Sequence, residues 1–309
     1  MTSTGMKPMR NRRNFLKAAA TISATALLPA GTAFAGERES WFRISLAQWS
    51  LHRAFRNGVA NPKNFARLAR QLFGVQGIEY VNQFYFDSYS DALIRDLKGQ
   101  ADGEGIRSLL IMVDGEGDLG ADTAAERRAT VTRHHRWAQM AKALGCHSIR
   151  VNAHSTGTFD EQMRKAADGL HQLAEYCDGL NLNVLVENHG GLSSNGQWLA
   201  GVMEMADHPR VGTLPDFGNF VIDRESGEEY DRYRGVREMM PWAKAVSAKT
   251  HDFDTDGEVV ETDYHRMLKI VREAGYRGWV GVEYEGEHLS EIEGIQRTLQ
   301  LLRRIQHVS

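Results

Sequence analysis

Residues 184–191 are V-L-V-E-N-H-G-G, three apolar residues that lead into Glu187, Asn188 and His189 and stop at two glycines. A short apolar run rich in valine predicts a buried β-strand, and Gly190 and Gly191 predict a sharp turn after it. A carboxylate and an imidazole at the end of an apolar strand are costly to desolvate unless another group pairs with them. This stretch therefore predicts a strand that ends in a functional site.

The same arrangement recurs as short apolar runs separated by helical patterns. The runs are Arg43–Ser50, Gly77–Val81, Ser108–Val113, Ser148–Asn152, Asn183–Glu187, Val211–Asp216, Ala245–His251 and Trp279–Tyr284. The helical patterns include Pro62–Leu72, Glu126–Leu144, Asp160–Gly179, Gly196–Ala206 and Tyr264–Ala274. Eight β–α units without a linker predict a single-domain α/β protein, a (β/α)₈ TIM barrel. The alternative, an open doubly wound sheet, is disfavoured because no G-x-G-x-x-G follows the first run.

The first 35 residues differ in character from the rest of the chain. Arg12 and Arg13 precede F-L-K and a weakly apolar stretch that ends in A-F-A at 33–35. This order predicts a cleavable twin-arginine export signal rather than a disordered basic leader. Thr, Ser and Pro break the apolar run well short of a transmembrane span. We therefore expect a signal at 1–35, a barrel at 36–309, and a periplasmic protein without membrane attachment after cleavage.

Charge and cysteine content narrow the function classes. The formal net charge of −3 becomes −8 when residues 1–35, with five basic residues and no acid, are removed. An acidic body argues against nucleic acid as a partner. Cys146 and Cys177, the two cysteines of the chain, predict no disulfide framework.

Four consecutive apolar runs end in a residue that can bind metal. These residues are Glu187, Asp216, His251 and Glu283, each about one β–α unit after the last. The carboxyl ends of barrel strands share one face, so the four side chains are expected to converge there. Three carboxylates in one place repel one another unless a cation neutralises them. The set predicts one divalent ion, Mn²⁺, Mg²⁺, Co²⁺ or Zn²⁺, and the lack of thiolates argues against a structural zinc.

Further residues are candidates for substrate contacts. His189 lies two residues after Glu187, and Lys249 lies two residues before His251, so both are expected to face the site. Asn152 and His154 end the fourth run. Each is equally consistent with a role in positioning other groups or in packing.

The motifs V-E-N-H-G, P-D-F-G-N, K-T-H-D-F and V-G-V-E-Y-E-G give the chain a resemblance to the xylose isomerase-like TIM-barrel superfamily, which includes the sugar phosphate isomerase/epimerase family. The resemblance implies a small carbohydrate substrate and one divalent metal bound by Glu187, Asp216, His251 and Glu283. It also implies that Glu187 and Glu283 move a proton on and off carbon beside a carbonyl. Homo-oligomers are common in this superfamily, so the resemblance also implies a homo-oligomer.

One departure from the superfamily concerns its ketose epimerases. Asn219 stands where they have a histidine three residues after the metal aspartate, and D-F-D-T-D-G-E after His251 lacks their arginine. Asn219 is a candidate substrate contact, but the change argues against a simple ketose epimerase. The alternatives are an exported lyase that cleaves 3-keto-glycosides by β-elimination and a non-catalytic sugar-binding barrel. A nuclease is disfavoured by Asn219 and by the acidic body.

Overall fold

The computed structural model describes residues 40–307, so the predicted signal at 1–35 lies outside the described residues. Eight parallel strands form the main sheet, and two short antiparallel strands form a separate hairpin. In chain order the strands are β1 (Arg43–Ala47), β2 (Gly77–Val81), β3 (Arg107–Met112), β4 (Ser148–Val151), β5 (Asn183–Glu187), β6 (Val211–Leu214), β7 (Val221–Asp223), β8 (Glu228–Glu229), β9 (Val246–Thr250) and β10 (Trp279–Tyr284). Strands β7 and β8 are the hairpin.

The main sheet closes on itself. Its strand order is β6-β5-β4-β3-β2-β1-β10-β9, and the two outer strands meet through a parallel bridge between Asp216 and Ser247. At this seam, the backbone N–H of Phe217 donates to the Ser247 carbonyl at 3.0 Å, and that of Ser247 donates to the Pro215 carbonyl at 2.9 Å. The predicted (β/α)₈ barrel is therefore confirmed.

Helices surround the sheet. They are α1 (His52–Arg56), α2 (Phe65–Phe73), α3 (Asp91–Gly103), α4 (Ala124–Leu144), α5 (Phe159–Asp178), α6 (Gly196–Ala206), α7 (Arg232–Met239), α8 (Tyr264–Glu273) and α9 (Glu291–Gln306). Capping boxes at Thr123, Thr158 and Ser290 begin α4, α5 and α9, because each hydroxyl accepts from an otherwise unpaired N–H of the first turn. Gly145 ends α4 in the left-handed conformation. No helix between residues 40 and 307 combines the length and apolar character that a membrane crossing requires.

Alternation along the strands decides which side chains face the centre of the barrel. A small apolar cluster fills that centre, formed by Ala47, Val81, Leu110, Met112, Leu185, Leu214 and Ala245. A larger cluster lies between the sheet and the helices and contains Val184 and Val186. Since neighbouring strand residues point to opposite faces, Leu185 and Glu187 share the inner face. Lys249 has the same parity as Ala245, so its side chain also points to the inside of the barrel.

Four strands are shorter than the sequence predicts. Strand β1 ends at Ala47, β4 at Val151, β6 at Leu214 and β9 at Thr250, which leaves Asn152 and His251 beyond their strands. Pro215 cannot donate a hydrogen bond to a neighbouring strand, which accounts for the end of β6. The hairpin of β7 and β8 was not predicted, because Val221 and Ile222 are its only apolar strand residues and the two residues of β8 are exposed glutamates, so no apolar alternation marks it.

Candidate active site

Three acidic side chains meet at the carboxyl ends of the barrel strands. Glu187 ends β5, Asp216 follows β6, and Glu283 lies on β10. Each offers an oxygen, and these oxygens all lie within 4.8 Å of one another. All three residues are buried, with at most 2% of their surface exposed. We call these residues the carboxylate triad.

Backbone and amide groups fix the position of Asp216. Its Oδ1 accepts from the backbone N–H groups of Gly218 and Asn219, both at 2.9 Å, and its Oδ2 accepts from Ser247 Oγ at 2.6 Å. Asn188 clamps the same residue, because its Oδ1 accepts from the Asp216 N–H and its Nδ2 donates to the Asp216 carbonyl. The residue after Glu187 thus ties β5 to the end of β6 and sets the spacing of two triad members.

Lys249 lies inside this acidic group. Its ammonium is 2.9 Å from Glu283 Oε1, 3.1 Å from Glu285 Oε2 and 3.9 Å from Asp216 Oδ2. Burial opposes the charged form, but these carboxylates hold the pKa of Lys249 well above its ordinary value. The ammonium is therefore charged, and it is held by one triad member directly and by a second at longer range.

Arg150 supplies the second buried cation. On β4, its Nη1 donates to Asp114 Oδ1 at 2.6 Å, and its Nε lies 2.7 Å from Glu187 Oε2. The Nε–H is not aimed at that oxygen, so neither atom completes a hydrogen bond. The pair is a close ion pair, and Glu187 Oε2 keeps an unused acceptor site. The other Glu187 oxygen accepts from Asn219 Nδ2 at 3.0 Å.

The triad could bind a divalent ion, because carboxylate oxygens suit Mn²⁺, Mg²⁺, Co²⁺ and Zn²⁺, and because Glu187 Oε2 and Glu283 Oε2 have no hydrogen-bond partner among the described residues. The Lys249 ammonium nevertheless contacts the same carboxylates. A metal bound to Glu283 at roughly 2.0–2.2 Å would lie against this ammonium and repel it. As the side chains stand, the triad does not fit a resident divalent ion unless Lys249 moves or loses its proton.

Burial and nearby charges shift the pKa values of the carboxyl groups in the site in opposite directions. Burial raises the pKa of Glu187 to about 7 and that of Asp216 to about 6, although Arg150 and Lys249 act in the opposite direction. Burial would also raise the pKa of Glu285, but Lys249 and Trp49 overcome it and lower the value to about 2. Carboxyls with raised and lowered pKa values side by side are typical of acid–base catalysis.

A pocket of about 420 Å³ opens above the triad, and its lining includes Glu283 together with the predicted Asn152, His154 and His189. This volume falls within the range of about 300–1,000 Å³ that is usual for small-molecule sites. Asn152 donates to Asp114, and its Oδ1 lies 3.1 Å from His189 Nδ1. Burial and the nearby cations lower the pKa of His189 to about 3, so its ring is neutral.

The remaining predicted residues lie apart from this pocket wall. Asn219 contacts Glu187 and Asp216, as described above, and acts as a support for the triad. His251 follows the end of β9, and 41% of its side chain is exposed. Its Nδ1 lies 3.0 Å from Glu261 Oε1, and its Nε2 lies 4.0 Å from Glu285 Oε2. Its ring is not part of the close group of triad oxygens, and its role as a metal ligand stays a prediction.

Three residues of the site, Arg150, Glu285 and Asp114, were not predicted from the sequence. Arg150 lies between Ser148 and Asn152 on the inward parity of β4, and Glu285 lies two residues after Glu283, so alternation was an available signal for both. Asp114 follows the third apolar run and pairs with Arg150. Its position after a strand was the same signal that identified Glu187.

Comparisons with known proteins agree with this architecture. The family model described as Xylose isomerase-like TIM barrel matches residues 66–305. A search of the curated proteins finds no match. Three similar solved structures show the fold.

The first is a sugar phosphate isomerase/epimerase from Parabacteroides distasonis (15% identity, 91% of this chain and 99% of that chain, TM-score 0.67). The second is a D-psicose 3-epimerase with D-tagatose from Clostridium cellulolyticum H10 (14% identity, 86% of this chain and 100% of that chain, TM-score 0.64). The third is a 3-keto-D-glucoside 4-epimerase from E. coli (15% identity, 79% of this chain and 94% of that chain, TM-score 0.63). Since the family match covers most of the sequence, this chain belongs to the xylose isomerase-like TIM barrel family.

Proposed function

We propose that this protein is a sugar isomerase or epimerase that moves a proton on carbon next to a carbonyl. The observation that carries the proposal is the buried carboxylate triad, with Glu283 in the wall of a pocket large enough for a monosaccharide. Sugar epimerases and isomerases among the structural neighbours support the same class.

The proposed reaction is a reversible proton transfer. A carboxylate removes the proton from the carbon beside the carbonyl, and the C–H electron pair forms an enediolate. Return of a proton to the other face of that carbon gives epimerisation, and return to the neighbouring carbon gives isomerisation. Glu283 meets the pocket directly, and Glu187 is the proposed partner acid. The fixed positive charge of Arg150, which also lines the pocket, favours the developing oxyanion.

Dependence on one divalent metal, which the sequence predicts, is the alternative to a site whose positive charge comes from the protein's own buried cations. Glu187, Asp216 and Glu283, with His251 as the fourth predicted ligand, would hold the ion, which would supply charge stabilisation to the oxyanion. This requires Lys249 to leave its present contacts. Assays of chelator-treated protein, alone and with Mn²⁺, Mg²⁺, Co²⁺ or Zn²⁺ added, test the prediction.

Solvent exchange tests the reaction class. The protein is incubated in D₂O with D-fructose, D-psicose or D-tagatose, and deuterium on carbon is followed by NMR. We expect deuterium at the carbon next to the carbonyl, and a loss of at least about 100-fold in Glu283→Gln or Glu187→Gln. Glu287→Gln is the matched control, because Glu287 is exposed in the loop that follows Glu283.

A lyase is the second candidate. The structural neighbour that acts on a 3-keto-D-glucoside favours it, since an enediolate with a leaving group β to the carbonyl expels that group. Release of the aglycone from a 3-keto-glucoside, without exchange or interconversion of free ketoses, would select the lyase. Tight sugar binding with neither exchange nor elimination would leave a non-catalytic sugar-binding barrel.

We also propose export by the twin-arginine route to the periplasm. The Arg12-Arg13 pair and the A-F-A end of residues 1–35 support it. Fractionation of cells that produce the chain with Arg12→Lys and Arg13→Lys tests it, and we expect retention in the cytoplasm. A homo-oligomer stays a prediction.

A further inference from the structure

Lys249 is a buried charge that the proton transfer proposed above does not use. Only 2% of the residue is exposed, and its ammonium contacts carboxylates rather than the pocket. Lysine is rarely buried unless a partner neutralises it, so a position inside an acidic group needs an explanation.

We propose that the Lys249 ammonium is the resident cation of the carboxylate triad and takes the place of a divalent metal ion. The proposal deepens and rests on the proposed function, because it names the cation that balances Glu283 and Asp216 at the same site, beside Arg150 at Glu187. It follows that the wild-type protein binds divalent metals weakly and keeps its activity in the presence of a chelator.

The surroundings of Lys249 are built to hold this side chain. A Cβ at Gly218 would lie 3.1–3.3 Å from the Lys249 methylene carbons, so the glycine leaves room for the lysine stem. Tyr264 donates from its hydroxyl to the Lys249 carbonyl at 2.7 Å and fixes the backbone. Gly218 follows Asp216 by two residues, so the loop that places the triad aspartate also accommodates the cation.

The contacts give Lys249 the task of positioning Glu283. The ammonium holds Glu283 Oε1 at 2.9 Å, while Oε2 has no hydrogen-bond partner among the described residues. One carboxylate oxygen is thereby anchored, and the other keeps an unused acceptor site. A bound metal would instead be coordinated by the carboxylates of Glu283 and Asp216, which would then no longer hold the Lys249 ammonium.

Metal affinity without substrate tests the proposal. Wild-type protein and Lys249→Met are dialysed against chelator and titrated with Mn²⁺ by calorimetry. For wild type, we expect weak Mn²⁺ binding and a Tm that does not change when Mn²⁺ is added. For Lys249→Met, we expect an affinity for Mn²⁺ at least about tenfold higher, because the repulsion between the ammonium and the metal ion is removed. Lys244→Met is the matched control, because Lys244 precedes β9 at the other end and donates to the Pro209 carbonyl.

The outcome of this titration distinguishes the Lys249 ammonium from a divalent metal ion as the cation of the carboxylate triad. Tight stoichiometric metal in wild type, or a folded Lys249→Met with no gain in affinity, overturns the proposal. If Lys249→Met unfolds after chelation, recovery of the fold with Mn²⁺ supports the proposal, and failure to recover contradicts it. A failed deuterium exchange assay would remove the proposed function but leave these affinities to be judged separately.

Discussion

The two ends of the barrel handle charge in different ways. At the amino end, a cavity of about 710 Å³ has Arg43, Arg107 and Lys244 in its wall, and these side chains meet solvent. At the carboxyl end, Arg150 and Lys249 are buried, and each contacts carboxylates of two residues at hydrogen-bonding distance. Water screens the first group, whereas the second depends on its partners. Removal of one charged side chain is therefore expected to lower the free energy of unfolding strongly only where water cannot solvate the opposite charge that is left behind.

Removal of Arg150 gives the largest expected effect. Arg150→Met leaves the buried Glu187 and the half-buried Asp114 without their cation, and we expect a loss of about 3–5 kcal/mol in the free energy of unfolding. Arg107→Met, at the amino end, should stay within about 0.5 kcal/mol of wild type. Urea unfolding of both variants measures the contrast, and similar losses would show that the two ends do not differ.

The buried carboxyl of Glu79 is expected to make the stability of the protein depend on pH. This buried carboxyl on β2 accepts from Ser45 Oγ at 2.6 Å, and burial raises its pKa from 4.5 to about 7. The folded state therefore binds the proton more tightly than the unfolded state. The stability it contributes is complete below about pH 4.5 and is lost as the pH rises through about 7.

Glu79→Gln should remove this slope. Between pH 5 and pH 8, we expect wild type to lose about 2–3 kcal/mol more stability than the variant. Glu204→Gln, at an exposed position on α6, controls for the loss of one negative charge. Unfolding midpoints across this pH range provide the measurement, and parallel curves for wild type and Glu79→Gln would refute the assignment.

The Asn188 clamp is expected to have a smaller effect. Asn188→Ala leaves the Asp216 N–H and carbonyl without their amide partner, with an expected loss of about 2 kcal/mol. The exposed Asn64 makes no side-chain cap bond at the start of α2, so Asn64→Ala is a neutral control. Thermal unfolding compares the two, and equal Tm values would contradict the clamp.

Ser247→Ala should have the smallest effect. It removes the hydroxyl that donates to Asp216 Oδ2 at 2.6 Å, and we expect a loss of about 1 kcal/mol. Ser226→Ala, in the exposed hairpin of β7 and β8, is the control. A larger loss than for Asn188→Ala would move the main support of Asp216 from β5 to β9.

Spacing and alternation predicted the barrel and the carboxylate triad. Glu187 ends β5, Asp216 follows β6 and Glu283 is the penultimate residue of β10, and a closed parallel sheet brings such positions together whatever the loops do. His251 has the same parity as Lys249, but β9 ends at Thr250, and the backbone then follows a loop whose direction no periodicity encodes. The partners of Lys249 depend on the rotamer of a long side chain, which sequence pattern does not specify.

The bridge between Asp216 and Ser247 has a consequence for how this protein can change. A residue of the site also closes the cylinder, because the last two edges of the sheet meet beside it. A substitution of Asp216 is therefore expected to affect both folding and catalysis. Substitutions of His154 and His189 are expected to have little effect on closure of the barrel. New substrate preferences are easiest to reach through the pocket wall, with the seam held constant.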